Sequence, residues 1–179
     1  LAAVAVGRQL GLEFSVIQKS IAPFGGTKRR FEYRGEANNI TFIDDYAHHP
    51  SEIMATLAAA KQKVQLGGEG QRVVAIFQPH RYSRTATFLE EFATAFKDAD
   101  LVVVTDIYSA GEKNTSGIQG ESLAKAIASH HPQVYYQACL SSLGDFLQKQ
   151  ILQPGDLALF LGAGNLNQTI PQIITLYNS

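Results

Sequence analysis

The run Phe42-Ile43-Asp44-Asp45-Tyr46-Ala47-His48-His49-Pro50-Ser51-Glu52 brings two carboxylates, a phenol and two imidazoles within six positions. Such groups can move protons, accept hydrogen bonds from hydroxyls or hold a charged ligand. The run follows a strand-like apolar stretch and precedes a helix start, and open α/β sheets bind their ligands at the carboxyl ends of strands. A carboxylate there can accept from a ribose hydroxyl pair or hold a metal ion; it can equally cap the next turn. Strand alternation sends Asp44 and Asp45 to opposite sides, so one of the two is expected to be functional. Metal ligation by His48 and His49 is disfavoured, because adjacent ligands from one loop are awkward and no Cys or HExxH partner lies nearby. Substrate contact by one of the pair and a structural hydrogen-bonding role both stay open.

A second cluster, Gln78-Pro79-His80-Arg81-Tyr82-Ser83-Arg84-Thr85, follows the apolar strand 72–77. Arg81 and Arg84, three apart in a turn leading into a helix, can converge as planar forks on one carboxylate or phosphate. The plainer alternative is two solvated arginines. In a parallel sheet, residues 44–49 and 78–85 emerge at the same edge. Hydrogen bonds to a charged group contribute roughly 1.5–3 kcal/mol each, enough to select an anionic substrate.

Other motifs are weaker. Gly25-Gly26-Thr27-Lys28-Arg29-Arg30 does not fit GxxxxGK[ST] and follows a helix, yet its basic residues can reach a nucleotide phosphate from a hinge. Gly162-Ala163-Gly164-Asn165 half-fits GxGxxG, and a tight strand-to-helix turn accounts for it equally well. Cys139 reads as a buried small apolar residue, and His130-His131-Pro132 as a solvated turn.

The elements that position these clusters follow from periodicity. Residues 1–22 suggest two short helices, Leu1–Gln9 and Glu13–Ile21, the second with Phe14, Ile17 and Ile21 on one face. A linker near residues 23–28 follows. Strand-like segments 31–34 and 40–44 flank the turn residues Asn38-Asn39. From Pro50 the rhythm is β–α: helix 50–64 with Ile53, Leu57 and Ala60; strand 72–77; helix 87–99 with Phe88, Phe92 and Phe96; strand 101–105; helix 120–129; strand 134–136; helix 140–151; strand 157–161; and a last helix. Near-continuous apolar strands alternating with amphipathic helices predict a Rossmann-like α/β fold, a mostly parallel sheet with helices on both faces.

Composition bounds the function. Of 179 residues 45% are hydrophobic, the net charge is −1 and there is one cysteine. A core is available, no basic tract suggests nucleic-acid or membrane-surface binding, no apolar run nears the ~20 residues of a membrane span, and no disulfide framework exists. The apolar start without Met reads as an internal helix of a longer protein rather than a signal peptide.

Taken in order, Phe24–Glu32, Asp44–Pro50, Phe77–Thr85 and Gly162–Asn165 resemble the Mur ligases, over essentially the whole chain. The resemblance implies that residues 1–28 are the tail of a central ATPase domain plus linker, and 29–179 the carboxy-terminal domain of a three-domain cytoplasmic enzyme of peptidoglycan synthesis. The branch it most resembles joins L-alanine to UDP-N-acetylmuramate through an acyl phosphate, using ATP and Mg2+. The magnesium ligands and phosphate loop belong to the central domain, so this piece alone is expected to be inactive. Its partners would be those substrates and its own central and amino-terminal domains. Carried over by motif, Arg30 approaches the ATP phosphates, Asp45 and Tyr46 the nucleotide, and Arg30 and His48 take catalytic roles. His48, His80, Arg81 and Arg84 receive the amino acid. A tripeptide-recycling ligase of the same family and a free-standing Rossmann-like nucleotide-binding module are the alternatives.

Overall fold

The computed structural model describes residues 2–23, 27–67 and 70–178; the Phe24-Gly25-Gly26 part of the expected linker lies outside them. Two helices come first, α1 (Ala2–Gln9) and α2 (Phe14–Ile21). They meet at Gly7, where an added Cβ would lie 2.8 Å from Ile17 Cδ1. Only Ile17 of the expected stripe is buried; Phe14 and Ile21 are 53% and 37% exposed.

The chain then forms an antiparallel hairpin, β1 (Glu32–Ala37) and β2 (Ile40–Asp45). Asn38 and Asn39 have φ of 49° and 59°. A two-residue hairpin turn requires positive φ at both positions, which asparagine tolerates. The β–α succession follows: α3 (Pro50–Gly67), β3 (Val73–Phe77), α4 (Tyr82–Thr87), α5 (Leu89–Thr94), β4 (Leu101–Val104), α6 (Gly120–Ala128) and β5 (Val134–Tyr136). Next come α7 (Leu143–Phe146), β6 (Leu157–Leu161) and α8 (Ile170–Tyr177).

The sheet order is β1-β2-β6-β3-β4-β5, with β1 antiparallel and the other neighbours parallel. Strand alternation divides the core in two. Val73, Ala75, Phe77, Leu157, Leu159 and Leu161 meet Ile53, Leu57 and Ala60 of α3, Phe92 of α5 and Leu123 and Ile127 of α6. Val74, Ile76, Ala158 and Phe160 meet Leu143, Ile170 and Ile173 on the other face. Both faces are covered, which is why the central strands carry almost no polar residue. Among the described residues no helix is long and apolar enough to cross a membrane.

Four expectations change. Helix 87–99 is replaced by α4 and α5, with Phe88 between them at φ −109°, ψ 27°. Phe92 and Phe96 pack on Phe77 at 5.5 and 5.4 Å between ring centroids, while Phe88 turns edge-on to His49 at 4.7 Å. The three phenylalanines therefore serve two different neighbours, and one straight helix does not deliver them. The 140–151 helix is broken into a 3-10 turn, α7 and a π turn. Cys139 is exposed, its sulfur 3.0 Å from Ser141 Oγ. His131 is buried rather than solvated, because Nε2 bonds the Ala99 carbonyl at 3.0 Å and Nδ1 accepts from the Gln133 N–H at 3.2 Å.

Candidate functional site

Because β2, β6, β3 and β4 are parallel neighbours, their carboxyl ends deliver four loops to one edge. At the end of β2, both aspartates are buried and turned to different partners. Asp44, 1% exposed, meets Arg29 Nε at 3.3 Å and Arg34 Nη1 at 3.4 Å. Asp45, 6% exposed, accepts from the Phe31 N–H at 2.7 Å and from the Ala47 N–H at 2.8 Å, with Thr56 Oγ1 at 3.4 Å. Asp45 thus ties the hinge before β1 to the loop after β2.

The two histidines separate cleanly. Glu52, in the first turn of α3, accepts from the His48 and His49 N–H groups at 3.0 and 3.3 Å, the return half of a capping box. Burial alone would raise the Glu52 carboxyl; those two N–H donors and the charges of His48 and Arg30 bring it net below its ordinary value. His49 Nδ1 sits 2.9 Å from Ser51 Oγ and accepts from the Ser51 N–H at 3.4 Å, so His49 is a cap. His48 Nδ1 lies 2.9 Å from the Tyr46 carbonyl oxygen and 3.3 Å from Glu52. Both partners are acceptors, which keeps a proton on Nδ1 and makes Nε2 the nitrogen that can gain or give up a proton. The His48 ring stands edge-on to Tyr46 at 5.2 Å and to His80 at 5.9 Å.

At the end of β3, Arg81 has φ 72°, ψ 136°. A non-glycine residue there stores strain on the order of 1–3 kcal/mol and persists only where its surroundings over-determine it. Here the loop after β4 does so: Arg81 N–H donates to the Tyr108 carbonyl and Tyr108 N–H to the Pro79 carbonyl, both at 2.8 Å. Arg81 reaches Glu112 at 3.8 Å, whereas Arg84 Nη1 approaches His80 Nδ1 at 3.2 Å. The two guanidiniums are therefore brought to one loop but rest on different neighbours. Among the described residues, Arg84 has no carboxylate partner within ion-pair distance. The His80 ring stacks on Tyr108 with centroids 5.6 Å apart and planes 22° apart. Burial, then the charges of Arg84, His48 and Arg81, push the His80 imidazole below its ordinary value. His80 is thus neutral at pH 7; it accepts from Arg84 at Nδ1 and carries its proton on Nε2.

The turn after β6 is built on two glycines. Gly162 has φ 147°, and a Cβ there would lie 2.7 Å from the Gln78 carbonyl oxygen; at Gly164 it would collide with Gln78 Oε1 and with the Tyr108 ring. Buried Gln78 donates from Nε2 to Asn165 at 3.0 Å and accepts from the Leu166 N–H at 3.0 Å. The glycine turn is thus a packing surface under Gln78 and Tyr108. A polar cleft of about 420 Å³ opens beyond Tyr82, lined also by Asp106, Asn114, Gln119 and Tyr136.

At the hinge, Arg30 is exposed with its guanidinium 5.7 Å from the Tyr46 ring, and Arg29 lies 5.0 Å from the same ring. Arg29's guanidinium is taken up by the Gly162 and Gly164 carbonyls and Asp44, so exposed Arg30 beside Tyr46 is the cation that suits a phosphate approaching from solvent. Magnesium does not fit these residues: Asp44 and Asp45 are already engaged, and no cluster of three His, Cys, Asp or Glu suited to a metal ion occurs among the described residues. Sequence reasoning missed Tyr108 and Glu112, and it did not separate Arg29 from the basic run at residues 28–30. The first two follow the strand Leu101–Val104, so the same strand-end logic that picked out residues 44–49 and 78–85 points to them.

A family model for the Mur ligase, glutamate ligase domain matches residues 29–164. The chain belongs to the Mur ligase family. It is 66% identical over 177 residues to the UDP-N-acetylmuramate–L-alanine ligase of Microcystis aeruginosa, covering 99% of this chain and 37% of that protein. It is 70% identical over 174 residues to the enzyme of that name from Synechocystis, covering 97% of this chain and 34% of that one. The chain spans about a third of the length of these curated relatives. The crystal structure of the UDP-N-acetylmuramate–alanine ligase of Thermotoga maritima superposes with a TM-score of 0.78 at 28% identity, covering 97% of this chain and 35% of that one. The Mur ligase domain thus carries the whole strand-edge cluster, from Arg29 to Gly164.

Proposed function

We propose that this chain is the carboxy-terminal domain of an ATP-dependent ligase that joins L-alanine to UDP-N-acetylmuramate, working in the cytoplasm on peptidoglycan synthesis. The observation that carries the reading is the cluster at the strand edge: Arg84 without a carboxylate partner, beside a neutral His80, across from His48. The names of the similar proteins supply the substrates.

The muramate carboxylate takes the γ-phosphoryl group of ATP, giving an acyl phosphate and ADP. Alanine's nitrogen then attacks that carbonyl and phosphate leaves. This domain's share is to hold alanine. Arg84, with Arg81 beside it, receives the carboxylate, and the His80 Nε2–H adds a neutral donor. Alanine arrives as an ammonium ion and must lose a proton before it can attack; His48 Nε2 is the acceptor for that proton. Arg30, over Tyr46, faces the transferring phosphates, where a fixed cation offsets developing charge. Asp45 serves the nucleotide by holding the hinge that carries Arg30, and any ribose contact uses its remaining lone pairs. Bringing the amine to the acyl phosphate in one closed cleft supplies proximity and excludes water.

The test is the full-length parent protein incubated with ATP, UDP-N-acetylmuramate and either L-alanine or the stem tripeptide. Formation of the alanyl product is expected. Preference for the tripeptide moves the chain to the recycling ligase, and no ATP-dependent ligation returns it to a nucleotide-binding module.

A further inference from the structure

Arg29 makes contacts with the turn after β6 that the proposed function does not use. Its guanidinium donates from Nη2 to the Gly162 carbonyl and from Nη1 to the Gly164 carbonyl at 3.5 Å, with Nε 3.3 Å from buried Asp44. Its main chain is held as well: the carbonyl accepts from Tyr46 N–H at 2.8 Å, and the amide donates to Glu32 at 2.7 Å. Its φ is 57° and that of Phe31 is 49°, a constrained backbone on either side of Arg30. One side chain therefore binds the hinge to the ends of two strands, β2 and β6. The glycine turn it grips is the surface on which Gln78 and Tyr108 pack, and Tyr108 carries the His80 ring.

We propose that Arg29 is a positioning residue that sets the hinge, and with it Arg30, at a fixed distance from the amino-acid cluster. The proposal rests on the ligase reading. A planar fork can span two carbonyls while its Nε faces a carboxylate; a lysine ammonium can neutralise Asp44 but cannot do both.

The experiment is steady-state kinetics of the full-length ligase carrying Arg29→Gln or Arg29→Lys, with thermal melts of each. Misplacing reacting groups by about an ångström lowers turnover by about a hundredfold. The expected result is a kcat fall of that order for Arg29→Gln, a smaller fall for Arg29→Lys, and little change in the KM for L-alanine or ATP. Should Arg29→Gln fail to melt cooperatively, Arg29→Lys carries the test. Wild-type kcat in folded Arg29→Lys overturns the proposal, as does a raised KM for ATP at unchanged kcat, which marks a direct phosphate contact. A wild-type parent that adds no alanine overturns the ligase reading and this proposal with it; an active parent with unaffected variants overturns the proposal alone.

Discussion

His80 shows how neighbours set the chemistry of one side chain. Burial, and among the neighbouring charges chiefly Arg84, hold its imidazole below the ordinary 6.5. Between the folded and ordinary values the unfolded chain binds more proton, so this group's contribution to stability rises as pH climbs toward 6.5 and is lost as pH falls. Arg84→Gln removes the largest charge acting on it. Imidazole NMR titration should then show the His80 midpoint moving up; an unmoved midpoint means that Arg84 does not face this ring. The sequence made the cluster legible by residue type and strand-end position. It did not reveal that Arg81 carries positive φ, nor that Glu112 and Tyr108 fix it, because those partners lie about 30 residues away. Residue types and spacing left His48 and His49 open and only the family resemblance favoured His48; that His49 caps α3 depends on side-chain contacts that periodicity does not record.

At the scale of elements, β6 was legible to the residue, since an apolar run bounded by Pro154-Gly155 and Gly162 has few other readings. The broken helix 82–94 was not, because the four-residue phenylalanine spacing fits one straight helix until Phe88 is claimed by His49. The glycine turn is where an element's geometry reaches the site. Gly164→Ala should destabilise the domain by about 1–3 kcal/mol through overpacking against Gln78 and Tyr108. A lowered melting temperature and weaker alanine binding are expected together. Loss of stability with alanine affinity intact would separate the turn from the amino-acid cluster.

For the whole molecule, the strand order explains why one edge gathers the chemistry. β6 returns between β2 and β3, so the hinge, the imidazoles and the arginine loop meet around its glycine turn. The fold class was legible because both faces of the sheet are covered and periodicity records that. The chain carries no GxxxxGK[ST] sequence. The isolated 179 residues should therefore release no phosphate from ATP with UDP-N-acetylmuramate and L-alanine. Release at the parent's rate would show that the catalytic phosphate site lies within this chain.

The central claim is that this edge receives the carboxylate of alanine, and the KM of full-length Arg84→Ala tests it most directly. Losing one charge-assisted contact of roughly 1.5–3 kcal/mol corresponds to about a tenfold to hundredfold rise in KM for L-alanine. The account predicts that rise with the KM for ATP near the wild-type value. An unchanged KM for L-alanine would contradict it.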